Sequence, residues 1–384
     1  MRVLDAARPI HIHQPMATRQ LPAVLHHLHS SLRTAAQTSS SCTNAAHAVI
    51  SGTRPGQHMR MHATSAAVSA HASGHAGTGF LLTLERTVGA TSGADTDLVT
   101  TGAFGAQVFP DLPAATTWAN LWKSMGSSAA TSQDEDKGSD VAPDSLKVIT
   151  VAANLRSMQE IEQRMVAATT AGPSGRPADA LLLVTGSHPL RTLPGSRRLL
   201  PTSLATLELA SQLKARGVIP AATQLWAVAN PNNEQGAGLA AEKVARGASV
   251  LLTQPPLDAG AFEAWLRDAD RRGLGRQARL VVGHPWFTSA SNAAFWGALA
   301  GCVRNRALAT LVTRLSAAEA GGKGSVDALC AELNAGLAKK ALGEWSGVVG
   351  GMHVMPLSGK ARKGVVAALQ PGGALHEARL AGGR

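Results

Sequence analysis

Short apolar runs recur along the chain from residue 80 onward, and each is bounded by glycine, proline or polar residues. Eight of them have the length and composition of strands, and they cover 79–84, 98–101, 147–152, 180–185, 224–229, 249–253, 279–283 and 352–357. Apolar residues spaced three or four apart, as at Met158, Ile161 and Met165, fill most of the gaps with the periodicity of helices. The chain is therefore predicted to alternate strands with helices.

This alternation predicts an α/β fold with a parallel sheet, because parallel neighbours need crossover connections and helices supply them. Eight strands can close such a sheet into a (β/α)8 barrel, the TIM-barrel architecture. A doubly wound open sheet is the alternative, but no Gly-x-Gly-x-x-Gly turn stands at a predicted strand end. We predict a single barrel domain over residues 78–360, followed by a C-terminal helix or tail over 361–384.

The first 77 residues differ in composition from the rest of the chain. No acidic residue stands between Asp5 and Glu85, while Arg, Ser, Thr, Ala and ten of the fourteen histidines are concentrated there. Residues 1–77 are interpreted as a disordered organellar transit peptide, with the mitochondrion favoured over the plastid. A polar tail without a targeting role and a histidine-rich metal segment are the alternatives.

A second polar stretch, 124–145, is predicted to be an exposed insertion.

Charge and composition exclude several classes of protein. Of the formal net charge of +11, +5 belongs to residues 1–84, and no block of Lys and Arg with interleaved aromatic residues follows, so nucleic-acid binding is not expected. No apolar run approaches the roughly 20 residues of a membrane span. Three scattered cysteines, Cys42, Cys302 and Cys330, without a Cys-x-x-Cys pair, argue against a disulfide framework and a zinc site.

Two polar residues stand where predicted strands end. The carboxyl ends of strands in a parallel barrel open into the ligand pocket, so Glu85 and Gln254 can face a ligand. The Glu85 carboxyl can act as a general acid if burial favours its neutral form, or it can form a salt bridge with Arg86 or with another cation at the mouth. The Gln254 amide can offer two donors and an acceptor to a heterocycle, or it can bond to loop backbone. Asp258 is predicted to be a helix N-cap.

Three histidines stand beside predicted strand ends. His188 follows Ser187, but no Gly-x-Ser-x-Gly elbow accompanies the pair, so hydrolase chemistry is not expected. His284 and His353 are expected to pack or to cap, with a ligand contact as the alternative.

With the strand ends aligned, the chain resembles the methylenetetrahydrofolate reductase family over roughly residues 78–360. The most specific match is the pattern Lys-(x)3-Gly-Ala-(x)4-Thr-Gln-(x)3-Asp, formed here by Lys243, Gly247, Ala248, Thr253, Gln254 and Asp258. Other turns are similar in the same order, namely Thr100-Thr101-Gly102-Ala103, Val184-Thr185-Gly186-Ser187, Ala229-Asn230-Pro231 and Gly283-His284-Pro285.

The resemblance implies a flavin-dependent oxidoreductase that reduces 5,10-methylenetetrahydrofolate to 5-methyltetrahydrofolate with FAD. It implies that Glu85 is catalytic and protonates the folate, so that the methylene bridge opens to an iminium. It also implies that Gln254 binds the pterin ring of the substrate. The positions implied to bind the FAD cofactor are Thr100, Gly186, Ser187, Asn230 and Lys243.

Several positions depart from the family's pattern. Thr185 and Ser187 replace an arginine and an aspartate, Val148 stands in place of a histidine, and Asn230 stands in place of a tyrosine. These changes keep open a second hypothesis, in which the barrel is catalytically altered and acts as a folate-binding or assembly subunit. A barrel enzyme with another cofactor, or with none, is a third possibility, because fold does not fix function.

Overall fold

The computed structural model describes residues 79–86, 95–111, 141–142, 144–170, 175–186 and 200–382. The predicted leader, 1–77, lies outside the described residues, as does most of the predicted insertion, 124–145. No helix among the described residues is long and apolar enough to cross a membrane.

Eight parallel strands form a closed barrel in which each strand pairs with the next one in the sequence. The strands are β1 Leu81–Glu85, β2 Ala106–Phe109, β3 Leu146–Ala152, β4 Ala180–Val184, β5 Gln224–Ala229, β6 Val250–Thr253, β7 Arg279–His284 and β8 Val349–Val354. Pairing of β8 with β1 closes the sheet. The predicted (β/α)8 architecture is confirmed.

Helices connect most of the described strands and cover the outside of the barrel. They are α1 Thr96–Val99, α2 Met158–Thr169, α3 Ser203–Ala215, α4 Gly238–Ala245, α5 Ala259–Arg271, α6 Leu274–Gln277, α7 Ala290–Leu299, α8 Arg306–Ala320, α9 Lys323–Leu342, α10 Gly359–Ala368 and α11 His376–Gly382. The last of them follows the predicted barrel boundary, packs beside β1 and still contributes to the core, since its Ala378 and the preceding Leu375 are fully buried.

Alternation along each strand separates two apolar layers. Leu82 and Leu84 of β1 belong to the layer between strands and helices, while Leu81 packs with the cluster that fills the barrel interior. Because successive strand residues point to opposite faces, Thr83 and Glu85 share the inner face with Leu81. The interior cluster consists of Ala106, Val108, Val148, Ala180, Leu182, Trp226, Val250, Leu252 and Val281.

The prediction of a second strand at 98–101 is wrong. This segment contains the end of the short helix α1, and the Thr100 amide donates to the Thr96 carbonyl, while β2 begins only at Ala106. Leu98 of α1 is fully buried, in the layer between strands and helices, so it suits an amphipathic helical turn as well as a strand. The eighth strand also starts three residues before the predicted 352, at Val349.

Candidate functional site

The carboxyl ends of the strands form one rim of the barrel, which we call the mouth. Glu85 is the last residue of β1, and Gln254 directly follows β6. Gln254 stands two residues after Leu252 of the interior cluster, so alternation places it on the inner face of β6. Glu85 lies on the inner face of β1 for the same reason, because it alternates with Leu81. The two residues therefore lie on the same rim, on strands separated by β7 and β8.

Glu85 belongs to a hydrogen-bonded trio on the inner wall between β1 and β8. Its Oε2 lies 2.9 Å from His353 Nε2, and His353 Nδ1 lies 2.7 Å from Thr83 Oγ1. Thr83 and His353 are buried, whereas the Glu85 side chain is 24% exposed. The trio thus runs from the closed interior to the open mouth. His353 was expected to pack or to cap. It does more than that, because its imidazole joins buried Thr83 to Glu85 at the mouth.

The salt bridge considered between Glu85 and Arg86 is not formed. Arg86 is the next residue along the chain and points to the other face, where its Nε donates to Asp95 Oδ2 at 3.3 Å. Its guanidinium also donates to Gln107 Oε1. Asp95 accepts a second bond from Arg362 Nε at 2.8 Å, so this ion cluster stabilises the outside of the barrel behind Glu85.

The two residues of the Thr-Gln pair have separate functions. Thr253 is buried, and its Oγ1 accepts a bond from the Gly283 amide at 3.1 Å, which ties β6 to β7. A Cβ on Gly283 would lie 2.3 Å from the Thr253 carbonyl oxygen, so the strands approach closely there. Gln254 is half-buried, and its carboxamide has no hydrogen-bond partner among the described residues. The threonine is structural, and the glutamine is available at the mouth.

Lys243 is buried between α4 and β5. Its side chain is 5% exposed, and its Nζ donates to the Val228 carbonyl at 2.6 Å. Burial lowers the pKa of Lys243, while Glu234, at 3.9 Å, raises it. The ammonium group is thus committed to the end of β5, and the structure gives no sign that it reaches over the mouth.

Asn230 holds the loop after β5 in place. Its Nδ2 donates to the Ala300 carbonyl at 2.8 Å, and its Oδ1 accepts a bond from Asn232 Nδ2 at 3.2 Å. Its backbone amide donates to Glu234 Oε1 at 2.9 Å. The asparagine amide is therefore occupied by the protein itself.

The position after β4 is described only in part. Gly186 has φ +82°, and a Cβ there would lie 2.0 Å from Asn154 Oδ1, so a side chain at this position is excluded by backbone conformation and by contact. Ser187 and His188 lie outside the described residues.

Thr100 lies at the end of the barrel opposite the mouth. It follows α1 and precedes β2, so it belongs to the loop at the amino end of that strand, whereas Glu85 stands at a carboxyl end. It is exposed, and its Oγ1 donates to the Asp97 carbonyl at 3.2 Å. A contact with a ligand at the mouth, which the resemblance had implied for Thr100, does not fit this position.

Two predicted local residues have clear structural partners. Asp258 is the N-cap of α5, as predicted, because its side chain accepts from the Ala261 amide at 3.0 Å. It also accepts from Asn305 Nδ2 at 3.0 Å, and these bonds lower the pKa of Asp258.

His284 is fully buried, with Nε2 3.2 Å from the Asn334 carbonyl oxygen. Burial and then His353 lower the pKa of His284 to about 3.

A second ion cluster lies where β2 and β3 end. Asp111 accepts from the Ala152 amide at 3.0 Å, from Arg156 at 2.6 Å and from Arg164 at 2.8 Å. Burial lowers the pKa of Arg164, while Asp111 raises it. Among the described residues no group of three or more His, Cys, Asp or Glu could hold a metal ion.

Sequence reasoning missed Thr83 and undervalued His353. A threonine inside an apolar strand has many structural uses, and its spacing of 270 residues from His353 gives no local signal. Strand parity could have found both, since Thr83 shares a face with Glu85, and closure of the barrel requires β8 to pair with β1.

No protein-family model and no curated protein match this sequence. Solved structures are similar to it at low identity, and two of them illustrate this. One is an uncharacterised protein from Clostridium thermocellum that binds two copies of 5-methyl-5,6,7,8-tetrahydrofolic acid, with 13% identity, coverage of 79% of this chain and 96% of that chain, and a TM-score of 0.47. The other, from Burkholderia cenocepacia J2315, is provisionally assigned as a phosphonomutase, with 13% identity, coverage of 75% and 93%, and a TM-score of 0.38. Both scores are below 0.5, so no ligand or activity is inferred from them.

Proposed function

We propose that this protein binds a reduced folate in the barrel mouth and that Glu85 exchanges a proton with it. The observation that carries the proposal is the Glu85 carboxyl group, held by His353 at 2.9 Å on the inner wall and still open to the mouth. A carboxyl group in this position can serve as a general acid or base. The folate class of ligand comes from the sequence resemblance around Gln254.

The Gln254 amide suits a pterin ring. A pterin edge alternates hydrogen-bond donors and acceptors, and a carboxamide offers both without a change of charge. Gln254 is half-buried, so a bound ligand would replace water at its amide, and a well-placed hydrogen bond there adds affinity. Since no described residue pairs with this amide, a ligand is a suitable partner.

The proposed proton step is simple. A proton bound to a Glu85 oxygen moves to a nitrogen of the folate, so an O–H bond breaks and an N–H bond forms. If the ligand carries a methylene bridge, the protonated nitrogen is a better leaving group, and the C–N bond can break to give an iminium. No electrons are transferred in this step.

Hydride transfer to that iminium, as in a methylenetetrahydrofolate reductase, would be supplied by bound FAD. Three of the four described positions implied to bind this cofactor do not fit it. Thr100 lies at the amino end of a strand, Asn230 is bonded to Ala300, and Lys243 is buried against Val228. Reductase activity is therefore not part of the proposal, which corresponds more closely to the hypothesis of an altered, folate-binding barrel.

The test is titration calorimetry of the full chain with 5-methyltetrahydrofolate. We expect Gln254→Ala to weaken binding up to about tenfold, because one hydrogen bond to the ligand is lost. Gln212→Ala is the matched control, because Gln212 lies on α3 and its amide bonds, among the residues that the structure describes, only the exposed Glu208 at 3.2 Å. A wild-type protein that gives no heat, or equal affinities for the two variants, would contradict the proposal.

A further inference from the structure

Thr83, His353 and Glu85 are aligned by the register of two strands. Thr83 of β1 pairs directly with His353 of β8, and Glu85 lies two residues further along β1 on the same face. The imidazole ring therefore lies between a hydroxyl group on its buried side and a carboxyl group on its open side. Each ring nitrogen has one partner, at 2.7 Å and 2.9 Å.

The chemistry of these partners decides which nitrogen carries the proton. An ionised carboxylate can only accept, so His353 Nε2 must be protonated to bond with Glu85. Nδ1 of the neutral ring then has a bare lone pair, and the Thr83 hydroxyl can donate to it. If a proton is added to the other oxygen, Oε1, Oε2 remains a carbonyl oxygen and still accepts from Nε2.

From this geometry we propose that Thr83 and His353 are positioning residues for Glu85, and that one tautomer of His353 serves both protonation states of its carboxyl group. The inference deepens the proposed function and rests on the role of Glu85 in proton exchange. Thr83 holds the ring, and the ring holds Oε2. Oε1, which has no partner among the described residues, then faces the ligand.

The arrangement has a consequence for proton transfer. When Oε1–H gives its proton to a ligand nitrogen, a negative charge is left on the carboxylate. The Nε2–H bond then becomes charge-assisted and stronger than a bond between neutral groups. His353 thus stabilises the product of the transfer more than its starting state, without itself gaining or losing a proton.

Other titratable groups around the trio are already committed. His284 on β7 faces the helices and is buried, and its lowered pKa keeps it neutral. Arg86 and Arg362 pair with Asp95 behind β1. The strand residues opposite the trio on β2 and β7 are Ala106, Val108 and Gly283, which carry no charge.

The first experiment reads the His353 tautomer in the ligand-free full chain by long-range ¹H–¹⁵N NMR, with loss of one signal in His353→Leu as the assignment. When the ring is neutral, a state that the ¹⁵N shifts distinguish from the imidazolium, we expect its proton on Nε2. A ring protonated at Nδ1 under those conditions would overturn the proposal. If His353→Leu fails to fold, loss of the same signal in His353→Gln supplies the assignment.

The second experiment follows the ¹³C signal of the Glu85 carboxyl group against pH. His353→Leu removes the donor to the carboxylate, so the proton affinity of Glu85 should rise at least about tenfold. Thr83→Val should raise it by about two- to tenfold, and Thr83→Ser, which keeps the hydroxyl, should restore the wild-type titration. Identical titrations in all four proteins would overturn the proposal, since a purely structural role would change only stability.

These measurements are made without folate. If the protein fails to bind 5-methyltetrahydrofolate and yet shows the expected tautomer and titrations, the proposed ligand is wrong and the positioning of Glu85 stands. The reverse result would remove the positioning roles and leave the ligand.

Discussion

At the scale of single residues, strand parity decides which polar groups reach the mouth. Glu85 and Arg86 are neighbours in sequence, but one faces the interior with His353 and the other faces outward to Asp95. Thr253 and Gln254 divide in the same way between a structural bond and an open position. A polar residue at a strand end is thus a candidate ligand contact only when its parity matches that of the interior cluster.

His284 should make stability depend on pH. Its pKa of about 3 in the folded protein is below the value near 6.5 of an unfolded histidine, so the unfolded chain binds more protons between these values. The contribution of His284 to the free energy of unfolding is therefore fully present above pH ~6.5. It is lost as the pH falls, by up to about 1.4 kcal/mol per pH unit. Urea unfolding at about pH 8 and about pH 5.5 measures the loss.

The matched variant is His284→Gln, which cannot be charged and keeps a donor for the Asn334 carbonyl. It should be less stable than the wild type at about pH 8, with a shallower fall toward about pH 5.5. Parallel pH profiles for the two proteins would show that His284 is not held neutral by its burial.

At the scale of elements, the loops at the mouth are tied down by caps and cross-links. Asp258 caps α5 and also binds Asn305, which itself caps α8 through the Ala307 amide at 2.7 Å. Asn230 and Asn233 both donate to the carbonyl of Ala300 at the end of α7. The loops after β5, β6 and β7 therefore form one connected layer on that side of the mouth.

Asp258 offers a direct measure of this layer. Asp258→Ala removes the N-cap and the partner of Asn305, and we expect a loss of about 1–2 kcal/mol in the free energy of unfolding. Asp258→Asn keeps a capping oxygen and should lose less. Asp270→Ala, at an exposed acid on the same helix, is the control. If the alanine and asparagine variants unfold at the same urea concentration, the cap contributes nothing measurable.

The sequence predicted the elements better than it predicted their partners. The fifth strand was predicted at 224–229 and observed at Gln224–Ala229, because a buried six-residue apolar run has few other uses. The second was wrong because Ala106–Phe109 has only four residues, while the nearby Leu-Val-Thr-Thr segment favours a strand by propensity alone. Tertiary burial of Leu98 in a helix decided against that propensity.

At the scale of the whole molecule, the barrel brings together residues that no local pattern connects. Glu85 and His353 are 268 positions apart, and only the closure of β8 onto β1 makes them neighbours. The sequence placed Glu85 and Gln254 at strand ends but could not show that Asn230 and Lys243 bind other parts of the protein. Those contacts depend on where α7 and β5 pack, which is set by the complete fold.

We expect the purified full chain to be colourless. Of the four described positions implied to contact FAD, Asn230 and Lys243 are bonded elsewhere and Thr100 lies at the wrong end of the barrel. The protein should therefore lack flavin absorbance and remain unchanged on titration with FAD. Absorption spectra and flavin fluorescence measure this. A flavin that copurifies in stoichiometric amount would contradict the expectation and restore the reductase hypothesis.

An organellar location for the chain stays a prediction from residues 1–77.

Closure of the sheet also limits how other molecules can attach. Every strand of the barrel has a hydrogen-bonded neighbour on both sides, so the sheet offers no free edge to which a foreign strand could be added. An assembly partner of the barrel must therefore recognise side chains on its helices and loops. The same property removes the commonest route by which sheets pair edge to edge into aggregates.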